Sequence, residues 1–292
     1  MSDRTDLVER IESALANADD CPWLPDLTAD VVKMGWRDLH EKAGLSPDEY
    51  GTSRVITRSG LSHRNVVGHL STSSAVEVLD DILDSYYGEG IEFYTTKEIT
   101  GANLLGCVED AIKVIKRVPT LHATVAVLVR SLHLIKQADD DYDVSFSEPH
   151  IPFSIFVSVP RQRKPVNSLR VAEAIVHEAM HLQLTLVEQV VPLVKANDRR
   201  YFSPWRHQYR PVQGLLHAFY VFKVIDRFIE NLYRDPLLFS DCSPYLKRRR
   251  FEIKKQMREI DSFQESPDLT AFGKRLVRVL SISPLESNRL IV

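Results

Sequence analysis

Between Asn167 and Val191 the chain reads as a helix without a polar face. Val171, Ala172, Ala174, Ile175, Val176, Ala179, Met180, Leu182, Leu184, Leu186 and Val187 fall on every side of it. A helix that is apolar all round has to be buried, so the rest of the chain must enclose it. Asn167 or Ser168 can cap its start, and Pro192 is compatible with its end. Such a helix has little tolerance for titratable side chains, because burying one unpaired costs kilocalories.

Yet the helix contains His177-Glu178-Ala179-Met180-His181, an HExxH motif. A spacing of four residues sets both imidazoles one turn apart on one face, where they can share a metal ion. One divalent cation would satisfy both histidines at once; the bland alternative is a hydrogen-bonded core pair. The third ligand decides the chemistry. The extended pattern HExxHxxGxxH fails, with Leu184 and Val187 at the positions that would be Gly and His. Glu188 shares the helix but lies two turns beyond His181, too far along to reach the same ion. A second long apolar helix, from about Pro211 to Tyr233, carries His217 among Leu215, Leu216, Phe219 and Tyr220. The face through 213, 217, 220, 221 and 224 has no carboxylate, and Asp226 and Glu230 point nearly opposite. His217 is therefore the expected third ligand, with His207 and Asp198 as alternatives and a core histidine as the bland reading.

The segment joining the two helices, KANDRRYFSPWRHQYR, reads as an irregular, Arg-rich loop. Arg206 and Arg210, beside Trp205 and Tyr209, lead directly into the helix that bears His217. A guanidinium fork there would suit a small carboxylate ligand.

HEAMHLQL followed by SPWRHQYRPVQGLLHAFYVF resembles the HExxH-domain family linked to ribosomal peptide modification, the α-ketoglutarate-dependent HExxH-type peptide β-hydroxylases. The resemblance rests on HExxH, the S-P-x-R segment and Arg210, Pro211, Gly214 and His217, and it spans about residues 140–225. It implies iron on His177, His181 and His217, and α-ketoglutarate and dioxygen as co-substrates. Arg206 or Arg210 would hold the distal carboxylate of α-ketoglutarate. It also implies Cβ hydroxylation of a residue in a precursor peptide. Glu178 would then orient water or a ligand rather than act as a base.

The rival enzyme is a zinc metallopeptidase in which Glu178 is the general base and an upstream edge strand holds the peptide. A third possibility is a zinc that only pins two helices together. A structural zinc normally has four protein ligands, and only three good candidates are apparent.

The remaining chain is read more coarsely. Residues 1–100 are expected to be helical, with SSAVEVLDDILDSYY (73–87) among the helices. LHATVAVLVRSLHLIKQ is expected to pass from helix into strand. YDVSFS (142–147) and FSIFVSV (153–159) are strand candidates whose flanking prolines suggest edges, forming a small antiparallel sheet upstream of the HExxH helix. Helices near 244–262 and 267–281 follow. The whole is one mainly helical α+β domain, 1–292, with a metal-site core over 140–235 and C-terminal helices over 240–292. Gly and Pro together number only 26, which suits long regular elements.

Other signals are weak. With 37 basic and 40 acidic residues the net charge is −3, so no global field gathers nucleic acid. Cys21, Cys107 and Cys242 make neither a disulfide framework nor a CxxC pair. No window is apolar enough to span a membrane, and the opening segment lacks the apolar core of a signal peptide. A cytoplasmic chain is expected. Asp139, Asp140, Asp141 and Asp143 read as a solvated turn, and KRRRFEIKKQMR (247–258) as a basic helix face. His40, His63, His69, His122, His133 and His150 have no partner at ligand spacing.

Overall fold

The computed structural model describes residues 2–16, 21–43, 54–57, 60–63, 65–71, 74–78, 90–137, 143–147, 153–195, 199–234 and 242–281. It divides into two compact units, Val32–Leu182 and Met1–Val31 with Gln183–Val292. The boundaries fall inside two helices, α2 (Pro25–Ala43) and α6 (Pro165–Val190). Among the described residues the protein is α+β and mainly helical, as expected.

The unit Val32–Leu182 is built on a five-stranded sheet. Its strands are β3 (Asn65–His69), β4 (Ala75–Val78), β5 (Ser131–Lys136), β6 (Ser145–Ser147) and β7 (Ser154–Val159), in the order β3-β4-β5-β7-β6. A separate two-stranded ladder pairs β1 (Arg54–Thr57) with β2 (Gly60–His63). The large sheet is mixed rather than antiparallel, which corrects the expectation: β4, β5 and β7 run parallel, and β3 and β6 pair antiparallel at the edges. Parallel strands need crossovers and end up covered on both faces. Accordingly β4, β7 and all of β5 but Lys136 are buried. The connection from β4 to β5 includes the helices α3 (Thr96–Gly101), α4 (Leu104–Ile115) and α5 (Pro119–Leu128).

Three local expectations change. Ala75–Val78 is a strand, not part of a helix, and residues 79–87 of that proposed helix lie outside the described residues. Strand β7 is central rather than an edge, because β6 covers its outer side. The helix-to-strand passage falls at Val129-Arg130, after α5. Within residues 1–100, expected to be helical, α1 (Ser2–Ala16) and α2 are followed by strands β1–β4 and then by the start of α3.

Register fixes the two faces of the sheet. His133 pairs with Phe156 and Phe156 with Phe146, and their rings stack at 4.6 and 4.7 Å. The alternate positions, Ser145 among them, point to the opposite face, since side chains alternate along a strand. The adjacent helix α6 is buried over most of its circumference, with Val171, Ile175, Val176, Ala179 and Met180 nearly inaccessible, but not on every side as expected: Arg170, Glu173, His177, His181 and Thr185 form a partly accessible stripe. It begins at Pro165, where a missing N–H costs nothing. Asn167 and Ser168 therefore lie inside the first turn, not at the cap; the Asn167 amide donates to the Gln162 carbonyl at 2.8 Å.

The other unit contains α1, the last turns of α6, the hairpin of β8 (Arg200–Ser203) and β9 (Gln208–Pro211), α7 (Val212–Tyr233), α8 (Ser243–Arg258), a short 3-10 helix (Asp261–Glu265) and α9 (Ala271–Ser281). Its centre is α7, whose buried residues include Leu215, Leu216, Phe219, Tyr220, Val221 and Ile225. A buried amide ties its parts together. Gln183 donates to the Trp23 carbonyl at 2.7 Å and to Thr28 Oγ1 at 2.6 Å, and accepts from the Tyr220 hydroxyl.

Candidate metal centre

Continuous α-helical geometry over Pro165–Val190 turns His177 and His181 toward the same side. Their Nε2 atoms lie 3.2 Å apart, with the rings steeply inclined at 65°. Both side chains are partly accessible. Glu178, by contrast, is only 3% exposed. Its Oε1 accepts a hydrogen bond of 2.8 Å from Ser145 Oγ on the edge strand β6 and lies 3.9 Å from His177 Nε2. A buried carboxylate needs such donors, and strand alternation places the Ser145 hydroxyl on the helix side of the sheet. Ser145 is a site residue that sequence reasoning missed. The signal available was the S-x-S alternation of YDVSFS, polar every second residue in a strand otherwise suited to cover.

Arg170 on the same helix pairs with Asp143 at 2.8 Å, so this part of the acidic cluster is a structural ion pair. Asp139, Asp140 and Asp141 lie outside the described residues. His133 is buried against Phe156, with Nδ1 3.0 Å from the Glu77 carbonyl, and His122 is half-buried, with burial pushing its titration down. His69 is exposed; His150 and the side chains of His40 and His63 lie outside the described residues.

The remaining candidates belong to the other unit. His217 is largely buried on α7, among the apolar neighbours expected of it. Its Nε2 lies 2.9 Å from Glu188 Oε2, and Gln213 Nε2 donates to the same oxygen at 2.8 Å. An ionised carboxylate only accepts, so Nε2 carries the proton in this pair. Glu188 Oε1 is buried without a hydrogen-bond partner. Glu188 thus has a role beside His217 that its distance from His181 along α6 does not reveal. A carboxylate on an otherwise apolar helix was the clue that a partner on another element was required.

The Arg-rich segment is a β-hairpin, not an irregular loop. Ser203 pairs with Gln208 and Tyr201 with Arg210, so Pro204–His207 form the turn, with His207 at a left-handed φ of 50°. Arg206 sits exposed in that turn. Arg210 is half-buried on β9, its guanidinium laid over Gly214 so that a Cβ there would meet Nε at 3.3 Å. Neither guanidinium has an ion pair or hydrogen bond among the described residues. Trp205 stacks on Phe222 at 5.0 Å, which anchors the turn. The alternative ligand His207 is exposed, and Asp198 lies outside the described residues.

The two nitrogens are at hydrogen-bond distance, and 3.2 Å is also a separation that one metal ion can span. At a metal–nitrogen distance of about 2.1 Å, that separation corresponds to an angle of about 99°, between the roughly 90° of octahedral and roughly 109° of tetrahedral geometry. Among the described residues no group of three His, Cys, Asp or Glu side chains converges as a ready cation site. No disulfide joins the described cysteines. No helix among the described residues is long and apolar enough to cross a membrane. Compared with family models and with curated proteins, the chain matches none.

Proposed function

We propose that this protein is a non-haem Fe(II) and α-ketoglutarate-dependent oxygenase that hydroxylates Cβ of a residue in a ribosomally made peptide. The observation that carries the reading is the convergence of His177 and His181 Nε2, at a separation one metal ion can span, on a largely buried helix. His217 is the third ligand in this proposal, on the sequence pattern. With its Nε2–H donating to Glu188, the ring would turn Nδ1 to the metal, an arrangement in which a carboxylate orients a ligating imidazole. When bound, iron would activate dioxygen for attack on an unactivated C–H bond, at the expense of α-ketoglutarate decarboxylation.

The protein's own side chains supply the rest. Ser145 fixes Glu178 beside His177, where the carboxylate can orient a water or ligand without leaving its buried position. Arg210, with Arg206 four residues before it in the hairpin turn, offers a cation for the distal carboxylate of α-ketoglutarate. Laid over Gly214, Arg210 is partly ordered in advance, which reduces the entropy lost on binding.

A zinc peptidase is the second reading, favoured by one observation. Among the described residues the outer edge of β6 has no neighbouring strand, and β6 carries the serine that bonds Glu178. An extended peptide added to that edge would lie close to a carboxylate suited to serve as general base.

Anaerobic absorption spectroscopy separates the two. Metal-free protein titrated with Fe(II) and then α-ketoglutarate should develop a visible charge-transfer band that disappears in His217→Ala and weakens in Arg210→Ala. Tight zinc binding with no such band, together with peptide cleavage abolished in Glu178→Gln, would replace the oxygenase with the peptidase.

A further inference from the structure

Apart from Arg248, which pairs with Glu252 on the flank, the cations of α8 divide into two sets. One set faces inward: Arg250 lies 2.9 Å from Asp226 and 2.8 Å from Glu230 on α7, and Arg249 covers the Phe222 ring at 5.5 Å. Leu246 and Ile253 are buried on the same side. At about 100° per residue, the opposite side presents Lys254, Lys247, Arg258, Phe251 and Lys255 in adjacent positions. All five are exposed, Phe251 to 68%. None of the four cations has an ion pair or hydrogen bond among the described residues. From Lys247 to Arg258 the stripe runs about 16 Å along the helix.

Such a face is out of character for a chain of net charge −3, and its composition selects among occupants. An exposed aromatic ring surrounded by charges has the layout of a binding anchor with a polar rim. Lipid insertion would need a broad apolar face, and the apolar side of α8 already packs against its own unit. On one flank Glu259, and Glu252 paired with Arg248 and Arg249, interrupt the basic surface, so the stripe offers only a short track to a continuous polyanion such as nucleic acid. A short acidic peptide carrying one apolar side chain meets neither obstacle.

We propose that the outer face of α8 docks an acidic peptide segment, its apolar side chain seated on Phe251 and its carboxylates on Lys247, Lys254, Lys255 and Arg258. The inference rests on the peptide-modifying reading for the partner's identity: the segment would belong to the precursor peptide, away from the residue that is modified. Docking of this kind raises the local concentration of the target residue without any contact at the metal centre.

Fluorescence anisotropy tests it, using the full chain without metal and a fluorescein-labelled peptide that alternates Glu and Asp around one Leu. Saturable binding that weakens with added salt is expected, falling about tenfold or more in Lys247→Glu/Lys254→Glu and about tenfold in Phe251→Ala. Equal binding by the charge-reversed protein overturns the proposal, as does tighter binding to phosphatidylserine vesicles or oligothymidine than to the peptide. The substitutions are on the surface, and circular dichroism verifies the fold. The same variants titrated with Fe(II) and α-ketoglutarate keep the two ideas apart. Peptide binding that depends on α8 in a protein with no charge-transfer band upholds the docking surface and sinks the iron reading.

Discussion

Ser145, on the edge strand β6, donates a 2.8 Å hydrogen bond to Oε1 of Glu178, the residue between the first histidine and the rest of the HExxH turn. The bond couples the outermost strand of the sheet to the most buried titratable group of the motif. Ser145→Ala removes that donor from a nearly inaccessible carboxylate, at a cost of about 1–3 kcal/mol. On the proposed function, loss of an outer-shell partner lowers metal affinity about tenfold or more. Ser145→Thr, which keeps the hydroxyl, should restore it. Calorimetric titration with Fe(II) compares the three, and unchanged affinity in Ser145→Ala would reduce the bond to packing.

Gln183 is 1% exposed and uses both ends of its amide. Gln183→Leu matches the volume but leaves the Trp23 carbonyl, the Thr28 hydroxyl and the Tyr220 hydroxyl without this partner. Burial already pushes the Tyr220 phenol up, so it stays neutral and needs an acceptor. The expected loss is about 2–4 kcal/mol, read as a lower urea midpoint at unchanged slope. In a double-mutant cycle with Tyr220→Phe the two losses should be non-additive.

The buried helix α6 and its histidine pair were readable from sequence because their signal is local: apolar residues all round and a four-residue repeat. The strand Ala75–Val78 was not. Ser-Ala-Val-Glu-Val-Leu satisfies a helical spacing as well as a strand, and pairing with Ser131 and Leu132 decides between them. Strand β7 was misplaced at an edge because its flanking prolines are local, whereas its neighbours β5 and β6 are set by topology. The hairpin hid behind its arginines; its register depends on Arg200 meeting Pro211 across a four-residue turn. The Glu188–His217 pair joins positions 29 apart on different helices, and no periodicity within either helix announces it.

Gly273 on α9 approaches the Leu193 carbonyl so closely that an added Cβ would sit 2.0 Å from the oxygen. That carbonyl is fixed, because it accepts from the Thr270 amide at 3.0 Å, while the Thr270 hydroxyl donates to the Pro192 carbonyl at 2.6 Å. Backbone on both sides leaves little room to give. Gly273→Ala should therefore destabilise by about 2–3 kcal/mol despite the better helix propensity of Ala. A melting temperature at or above that of the parent would show that α9 can slide.

Glu98 closes a capping box at the start of α3. The Thr95 amide donates to its Oε2 at 3.0 Å, Lys136 lies 3.1 Å from Oε1, and the Thr95 hydroxyl adds a further bond. Together these lower its pKa from 4.5 to about 2. A carboxylate depressed on folding contributes stability that is present above its unfolded value and is lost as pH falls through the folded one. The capping contribution should therefore persist at pH 5 and fade between about 4.5 and about 2. Carboxyl-detected NMR should find Glu98 titrating below the other glutamates, with Thr95→Ala moving it upward. An ordinary titration in the parent protein would remove the box from the account.

Glu188 takes two hydrogen bonds on one oxygen, from Gln213 and His217, while its other oxygen is buried without one. Because the carboxylate can only accept, it holds His217 in the tautomer with the proton on Nε2. Long-range nitrogen–proton correlation on metal-free protein reads that tautomer directly, and Glu188→Ala should shift or mix it. Glu188→Gln is milder, since its amide oxygen can still accept the Nε2 proton. If His217 ligates through Nδ1 as proposed, Fe(II) affinity should fall about tenfold to a hundredfold in Glu188→Ala and less in Glu188→Gln. A tautomer indifferent to Glu188 would mean that the pair is packing alone, and His217 would lose its strongest physical claim to a metal.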